Sequence, residues 1–337
     1  MGRKAAAQRR GGSFTFWRIF AAAGCVKVLF WPAYHSTDFE VHRNWLAVTA
    51  STAPEFWYAD AAGQSRWTLD YPPLFAAFEY ALSFPARLVD PSIVDVANLD
   101  YAAWPCVAFQ RCSVLLVEAL FLGGGVAACC GWSPRAALVF TGPGLAALVA
   151  VDHVHFQYNG LVLGLFALAL GGLRAERHVL AAVAFAALLC LKHLFLTLAP
   201  FFGSYLLCGH VLAADAAGPG ERVFRFVDLG GAVLATVGAA LTPLVAPALL
   251  RRGGLRGVSA ALSELGSRLF PFGDRGLVHS YWAPNVWALY CFADRVVLRA
   301  TGRGGGGATR GLVETSVDAG ARKGGFQRTF SSSVERS

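Results

Sequence analysis

Charge is scarce in this sequence: only 15% of its 337 residues are Asp, Glu, Lys or Arg, against 55% hydrophobic. A mean hydropathy of +0.49 points the same way and excludes an ordinary soluble domain. Disulfide and metal patterns are lacking too. All eight cysteines (25, 106, 112, 129, 130, 190, 208 and 291) fall in apolar segments, with no CxxC or His/Cys ligand spacing. This argues against a zinc site and for small apolar packing residues. No internal repeat marks inverted transporter halves. Acids are the minority charge, 21 against 29 basic residues, which leaves a net +8. The basic residues gather at the two ends and in short loops, the pattern of cytoplasmic topology beside membrane spans. The expected partner is therefore a lipid bilayer, and no nucleic acid.

What the sequence does contain is apolar runs near the ~20 residues that a spanning helix needs. The fold class they predict is an all-α polytopic membrane protein with about eight transmembrane helices and a large first loop. Residues 1–13 are basic and Gly/Ala-rich, which predicts a flexible cytosolic start. The first span is expected at 14–34. An uncleaved span is favoured over a signal peptide because Lys27 interrupts the run and the bulky WPAYHS follows it. Residues 35–103 then lie on the far side, where 72–89 reads as a helix at the interface. Further spans are expected at 104–130, 136–151, 160–173, 179–198, 200–213, 227–250 and 280–298. A polar Gly-, Ser- and Arg-rich tail, 299–337, reads as disordered.

Counting spans places three polar segments on one face: 35–80, 152–159 and 251–279. Their carboxylates can bond sugar hydroxyls, their rings can stack on sugar faces, and their arginines can fork onto phosphate. Asp38 and Glu40 follow the first span closely, where a partly desolvated carboxylate can act as a general base; a solvated loop or helix start is the competing reading. Arg43 lies just beyond. Asp70 and Tyr71 lead into Pro72-Pro73, which stiffens the entry to the interfacial helix. Asp152, His153, His155, Gln157 and Asn159 crowd one short stretch, a density that is costly near lipid and points to function or tight mutual pairing. Lys192 and His193 sit late in the fifth span, where the lysine either snorkels or meets a phosphate. Arg268 and Arg275, on either side of FPF, are candidates for an anionic headgroup; a miscounted span would explain them equally.

The stretches STDFEVHRNWLAVT, WTLDYPPLFAAFEYALS, DHVHFQYNG, LKHLFLTLAP and SRLFPFGDRGLVHSYWAPNVWALY resemble the endoplasmic-reticulum glucosyltransferases that use dolichyl phosphate glucose. The resemblance covers about residues 14–298, and FEVHRNW and LDYPPLFAAFEY resemble the branch that adds the second glucose. It implies a GT-C fold with a lumenal active site, a dolichyl phosphate glucose donor and Glc1Man9GlcNAc2 on dolichyl pyrophosphate as acceptor. Asp38 then corresponds to the family's general base in an inverting α-1,3 transfer. Glu40, Arg43, Asp70, Tyr71, Asp152, His153, His155, Gln157, Lys192, His193, Arg268 and Arg275 are candidates for substrate binding. No cofactor is implied, since cationic side chains can stabilise a departing phosphate monoester without a metal. Family members continue with further spans where this sequence turns polar after Leu298, so the resemblance also implies a C-terminally shortened chain. Two alternatives stay open: the first-glucose enzyme of the same family, acting on Man9GlcNAc2, and a non-enzymatic carrier of polyprenol-linked sugar.

Overall fold

A computed structural model describes residues 2–59, 67–141, 143–215, 218–271 and 286–301. Helices and turns make up the described residues, with no strand among them. In sequence the chain divides into Met1–Leu265 and Gly266–Ser337. The first unit holds α1 (Gly2–Val28), α2 (Thr37–Ser51), α3 (Pro73–Val89), α4 (Trp104–Cys130), α5 (Pro134–Thr141) and α6 (Ala146–Phe156). It continues with α7 (Asn159–Arg174), α8 (His178–Leu191), α9 (His193–Val211) and α10 (Pro219–Arg251). Leu255–Leu269, α11, crosses the division, and α12 (Val286–Thr301) belongs to the second unit.

Among the described residues three helices, α4, α9 and α10, are long and apolar enough to cross a membrane. The pair α5 and α6, bent by 41°, adds a fourth if it acts as one span. The chain is thus a mostly helical membrane protein. Helices α7 and α8 are apolar but only 16 and 14 residues long, against the ~20 of a perpendicular span.

Local chemistry sets the helix ends that matter for function. Ser36 caps α2, its Oγ accepting from the Asp38 amide at 3.1 Å, and the acids Asp38 and Glu40 follow in the first turn, where the helix dipole favours negative charge. Proline in the first turn opens α3 and α4, a position where its missing N–H costs nothing. Gly131, at φ +67°, ends α4 in a conformation open to glycine. Helices α4 and α7 cross so closely that a Cβ on Gly164 would lie 2.2 Å from the Phe121 carbonyl carbon. Contact of this kind is typical of small residues between membrane helices.

Several boundaries differ from the sequence-based expectation. The basic start is helical, continuous with α1, because its Ala, Lys, Arg and Gln are good helix formers. The first apolar helix stops at Val28 and passes through tight turns before Tyr34. Asp152, His153 and His155 do not lie in a loop. They belong to a wide helical turn, Val149–Phe156, closed by the Gln157 amide donating to the Asp152 carbonyl at 3.4 Å. The helix expected over 179–198 breaks at Lys192, whose backbone is extended at φ −146°, ψ 103°. Part of the expected loop 251–279 is the helix α11.

Beneath α2 and α3 lies an aromatic core centred on an imidazole. His42 is ringed by Trp45, Phe75, Phe156, Tyr158 and Tyr71, with centroids 5.0 to 6.2 Å away. Burial lowers the His42 pKa to about 3, and the charge of Lys192 adds to the effect, so the ring is neutral. Burial also pushes the Glu79 carboxyl well above its ordinary range. The two meet at 2.8 Å, and burial favours the neutral form of each.

Candidate active site

A connected polar network lies against this aromatic floor, drawn from segments far apart in sequence. Asp38, in the first turn of α2, accepts at Oδ2 from Gln157 Nε2 in a short hydrogen bond and from His155 Nε2 at 3.2 Å. Its other oxygen, Oδ1, has no partner among the described residues. Gln157 Oε1 accepts from the Tyr71 hydroxyl at 3.2 Å and from Lys192 Nζ at 3.5 Å. Lys192 also donates to Asn159 Oδ1 at 3.2 Å and sits 5.3 Å from the centre of the Tyr71 ring. Asn159 in turn donates to Asp152 Oδ1 at 2.8 Å, and the Gly160 amide to Asp152 Oδ2 at 2.8 Å.

Backbone geometry brings these groups together. The Ser36 hydroxyl and amide both donate to the His155 carbonyl, at 2.5 and 3.2 Å, which pins the start of α2 to the end of α6. Phe156, fully buried, takes a left-handed φ of +87°. Such a conformation is costly for a bulky residue and is held only where packing enforces it. Here it reverses the chain between His155 and Gln157, so that both face Asp38. Lys192 reaches the network because α8 stops just before it. Burial, then the charges of Asp38 and Asp152, raise the Tyr71 hydroxyl above its ordinary range and keep it a donor.

The side chains of Asp38 and His155 are 34% and 50% exposed, so this end of the network is open to a substrate. Among the described residues Lys192 bonds two neutral amide oxygens and no carboxylate, which leaves its charge available. Asp152 is consumed by Asn159 and Gly160. Among the described residues no three His, Cys, Asp or Glu side chains converge as a metal-binding group.

Of the residues singled out from the sequence, Asp38, Tyr71, Asp152, His155, Gln157 and Lys192 are thus joined. Asp70 precedes Tyr71 and accepts from Thr68 Oγ1 at 3.0 Å, and His193 opens α9 beside Lys192. The structure gives three others a different task. Arg43 is fully buried and forks onto Glu40 at 2.8 and 2.7 Å, while its remaining nitrogen donates to the carbonyls of Ile93 and Asp95, each at 3.0 Å. Glu40 and Arg43 therefore brace α2 against the 91–95 turn and offer nothing to a ligand. His153 points into the bundle, away from its neighbours Asp152 and His155, and bonds Glu118 at 2.8 Å. Arg268 stands in the last turn of α11. Arg275 lies outside the described residues.

The site also uses two groups that residue type alone does not announce. Asn159 bridges Lys192 and Asp152, and the Ser36 hydroxyl clamps the turn that carries Asp38. Asn159 lies in the same crowded polar stretch as His155 and Gln157. Ser36, next to the first-turn acids, carries the signature of a helix cap.

Comparison with known proteins bears on this arrangement. Residues 23–324 match the ALG6, ALG8 glycosyltransferase family. The dolichyl pyrophosphate Glc1Man9GlcNAc2 alpha-1,3-glucosyltransferase of Gibberella zeae is 42% identical over 308 residues, covering 87% of this chain and 56% of that protein. The protein of the same name from Arabidopsis thaliana is 43% identical over 293 residues, covering 84% and 54%. The one from Mus musculus is 40% identical over 303 residues, covering 85% and 55%. The chain spans little more than half the length of these curated relatives. With a family match across most of its residues, the chain belongs to the ALG6, ALG8 glycosyltransferase family.

Proposed function

We propose that this chain transfers glucose from dolichyl phosphate glucose to Glc1Man9GlcNAc2 on dolichyl pyrophosphate, in α-1,3 linkage. The observation that carries the proposal is the joining of Asp38, through Gln157, to Lys192 beside an open face. A base and an uncommitted cation at the two ends of one network suit a displacement in which an alcohol attacks and a phosphate departs. The names of the relatives supply the acceptor.

Asp38 Oδ1 accepts the proton of the acceptor glucose 3-hydroxyl as that oxygen attacks C1 of the donor sugar. The C1–O bond to dolichyl phosphate breaks with inversion, and the bond pair leaves on the phosphate. The Gln157 and His155 bonds hold the other oxygen of Asp38, which fixes the direction of Oδ1. Lys192 offsets the charge developing on the departing phosphate. An open apolar groove is lined by Leu74, Val183, Ala232, Ala235, Thr236 and Ala239, which supports a polyprenyl-linked substrate. The proposal places this site on the lumenal face of the endoplasmic-reticulum membrane, in a GT-C fold of eight spans. The transferase region is 14–298, with 35–103 as first lumenal loop, 1–13 cytosolic and 299–337 a polar tail.

The test expresses the chain in microsomes lacking the endogenous enzyme and supplies donor and Glc1 acceptor. A Glc2 product, lost in Asp38→Ala, is expected. Product from a folded Asp38→Ala variant would remove Asp38 as the base. Product from Man9GlcNAc2 but not from the Glc1 acceptor would move the chain to the first-glucose reaction.

A further inference from the structure

Glu118 is an acid in the middle of α4, the most apolar of surroundings, and both of its oxygens are engaged. Oε1 takes a short hydrogen bond from Lys27 of α1, and Oε2 one of 2.8 Å from His153 Nε2 of α6. All three residues are buried, Lys27 at 1%, Glu118 at 3% and His153 at 0% exposure. Because a carboxylate only accepts, Nε2 carries the imidazole proton; Nδ1 is buried and unbonded. Glu118 also abuts α7: a Cβ on Gly160 would lie 2.6 Å from Glu118 Cγ. Glu118 itself opens a wide turn, Glu118–Leu122, a feature frequent at functional sites.

One residue therefore touches the three elements that deliver the site. From α1 the chain leads through Ser36 to Asp38. The wide turn of α6 presents Asp152 and His155 and ends at Gln157. The start of α7 contributes Asn159 and the Gly160 amide. Removed from any substrate, the Lys27–Glu118–His153 cluster has no direct chemical task. A charge cluster is a costly way to join apolar helices, since well-packed hydrophobic groups serve stability as well. What it adds is a fixed register.

We propose that Glu118 is a positioning residue: by tying His153 to Lys27, it holds the strained turn at Phe156 in the register that brings His155 and Gln157 to Asp38. The inference rests on the proposed transfer reaction for its kinetic consequence and on the fold alone for its structural one.

The test compares the full chain with the paired variant Lys27→Met/Glu118→Leu, in which no buried charge is left unpaired, and with Gly160→Ala. Two readouts are used: glucosyl transfer, and hydrogen exchange of the amides at 33–39 and 149–157. The paired variant is expected to melt within a few degrees of the parent, exchange about tenfold faster in those two segments and lose kcat about tenfold at unchanged KM. Gly160→Ala, which pushes Glu118 aside, is expected to do the same to a smaller degree. Unchanged exchange in both segments overturns the inference, whatever the activity. Faster exchange with unchanged kcat overturns the positioning role. Should the parent transfer no glucose, the proposed function fails on that ground alone, and the exchange measurement decides the role of Glu118.

Discussion

Two sets of polar groups, each with carboxyl groups, imidazole and a lysine, do opposite things in this protein. The closed set comprises Glu40 with Arg43, His42 with Glu79, and Glu118 with Lys27 and His153. Each pair is buried and its members answer one another. The open set comprises Asp38, His155, Gln157, Tyr71, Lys192, Asn159 and Asp152. There the charged groups mostly bond neutral partners, and one carboxylate oxygen and one cation remain uncommitted. An acid two positions from the proposed base is pure scaffolding. Capacity for chemistry follows from what a group has left to bond, and the residue type sets only the menu.

The contrast is sharpest at Asp38. Asp38→Asn keeps the shape and the neighbouring bonds but removes the base, and kcat is expected to fall by ~10²–10⁴-fold. Arg43→Ala should do the reverse. Leaving Glu40 buried without its partner costs about 3–5 kcal/mol of stability, read as a large drop in melting temperature, while the protein that remains folded transfers at the parent rate. Should Arg43→Ala abolish transfer in well-folded protein, the division between the two sets breaks down. Lys192→Met retains the stem and removes the charge; a loss of ~10²-fold in kcat is expected, with little change in melting temperature.

The smallest effect belongs to His42 and Glu79, and its sign follows from the two pKa directions. The folded value of His42, about 3, lies below its ordinary 6.5, so its contribution is present above pH 6.5 and lost on acidification. The folded value of Glu79 lies above its ordinary 4.5, so its contribution is present in acid and lost as the pH rises. Above pH 4.5 the two slopes therefore oppose one another, and below it only the His42 loss remains. Glu79→Gln can still donate to His42 Nδ1, cannot ionise, and is expected to cost under about 1 kcal/mol. Melting curves taken upward from pH 4.5 should show the parent losing stability relative to the variant as the pH rises. Parallel curves would show that Glu79 is ionised in the folded protein.

Much of the open set was legible before any coordinates. Asp152, His155 and Gln157 stand in a polar stretch between apolar runs, where such density needs a reason. Asp38 and Tyr71 sit where counting spans places the opposite segment on the same face. What the sequence hid was direction. His153 lies between two site residues yet faces the other way, because a wide turn sends neighbouring side chains to different partners. The Glu40–Arg43 spacing is that of a helical i, i+3 pair, and reading the segment as a loop concealed it. Lys192 reads as an ordinary snorkelling lysine until the chain is seen to break its helix beneath it. The eight apolar runs were plain to see, yet among the described residues, which leave out 280–285 of the last run, three helices and one bent pair reach spanning length and composition, because helix ends answer to caps, turns and prolines as well as to hydropathy.

The amide of Gln157 gives the network one more property. It stands between Asp38 and Lys192 as an insulator with two faces, its NH₂ toward the anion and its oxygen toward the cation. An amide has no proton to trade near neutral pH, so the opposite charges are held close without collapsing into a salt bridge that would spend both. A glutamate at this position would short the circuit, capturing Lys192 and repelling Asp38. The least reactive side chain of the site thus keeps its two most reactive ones in credit.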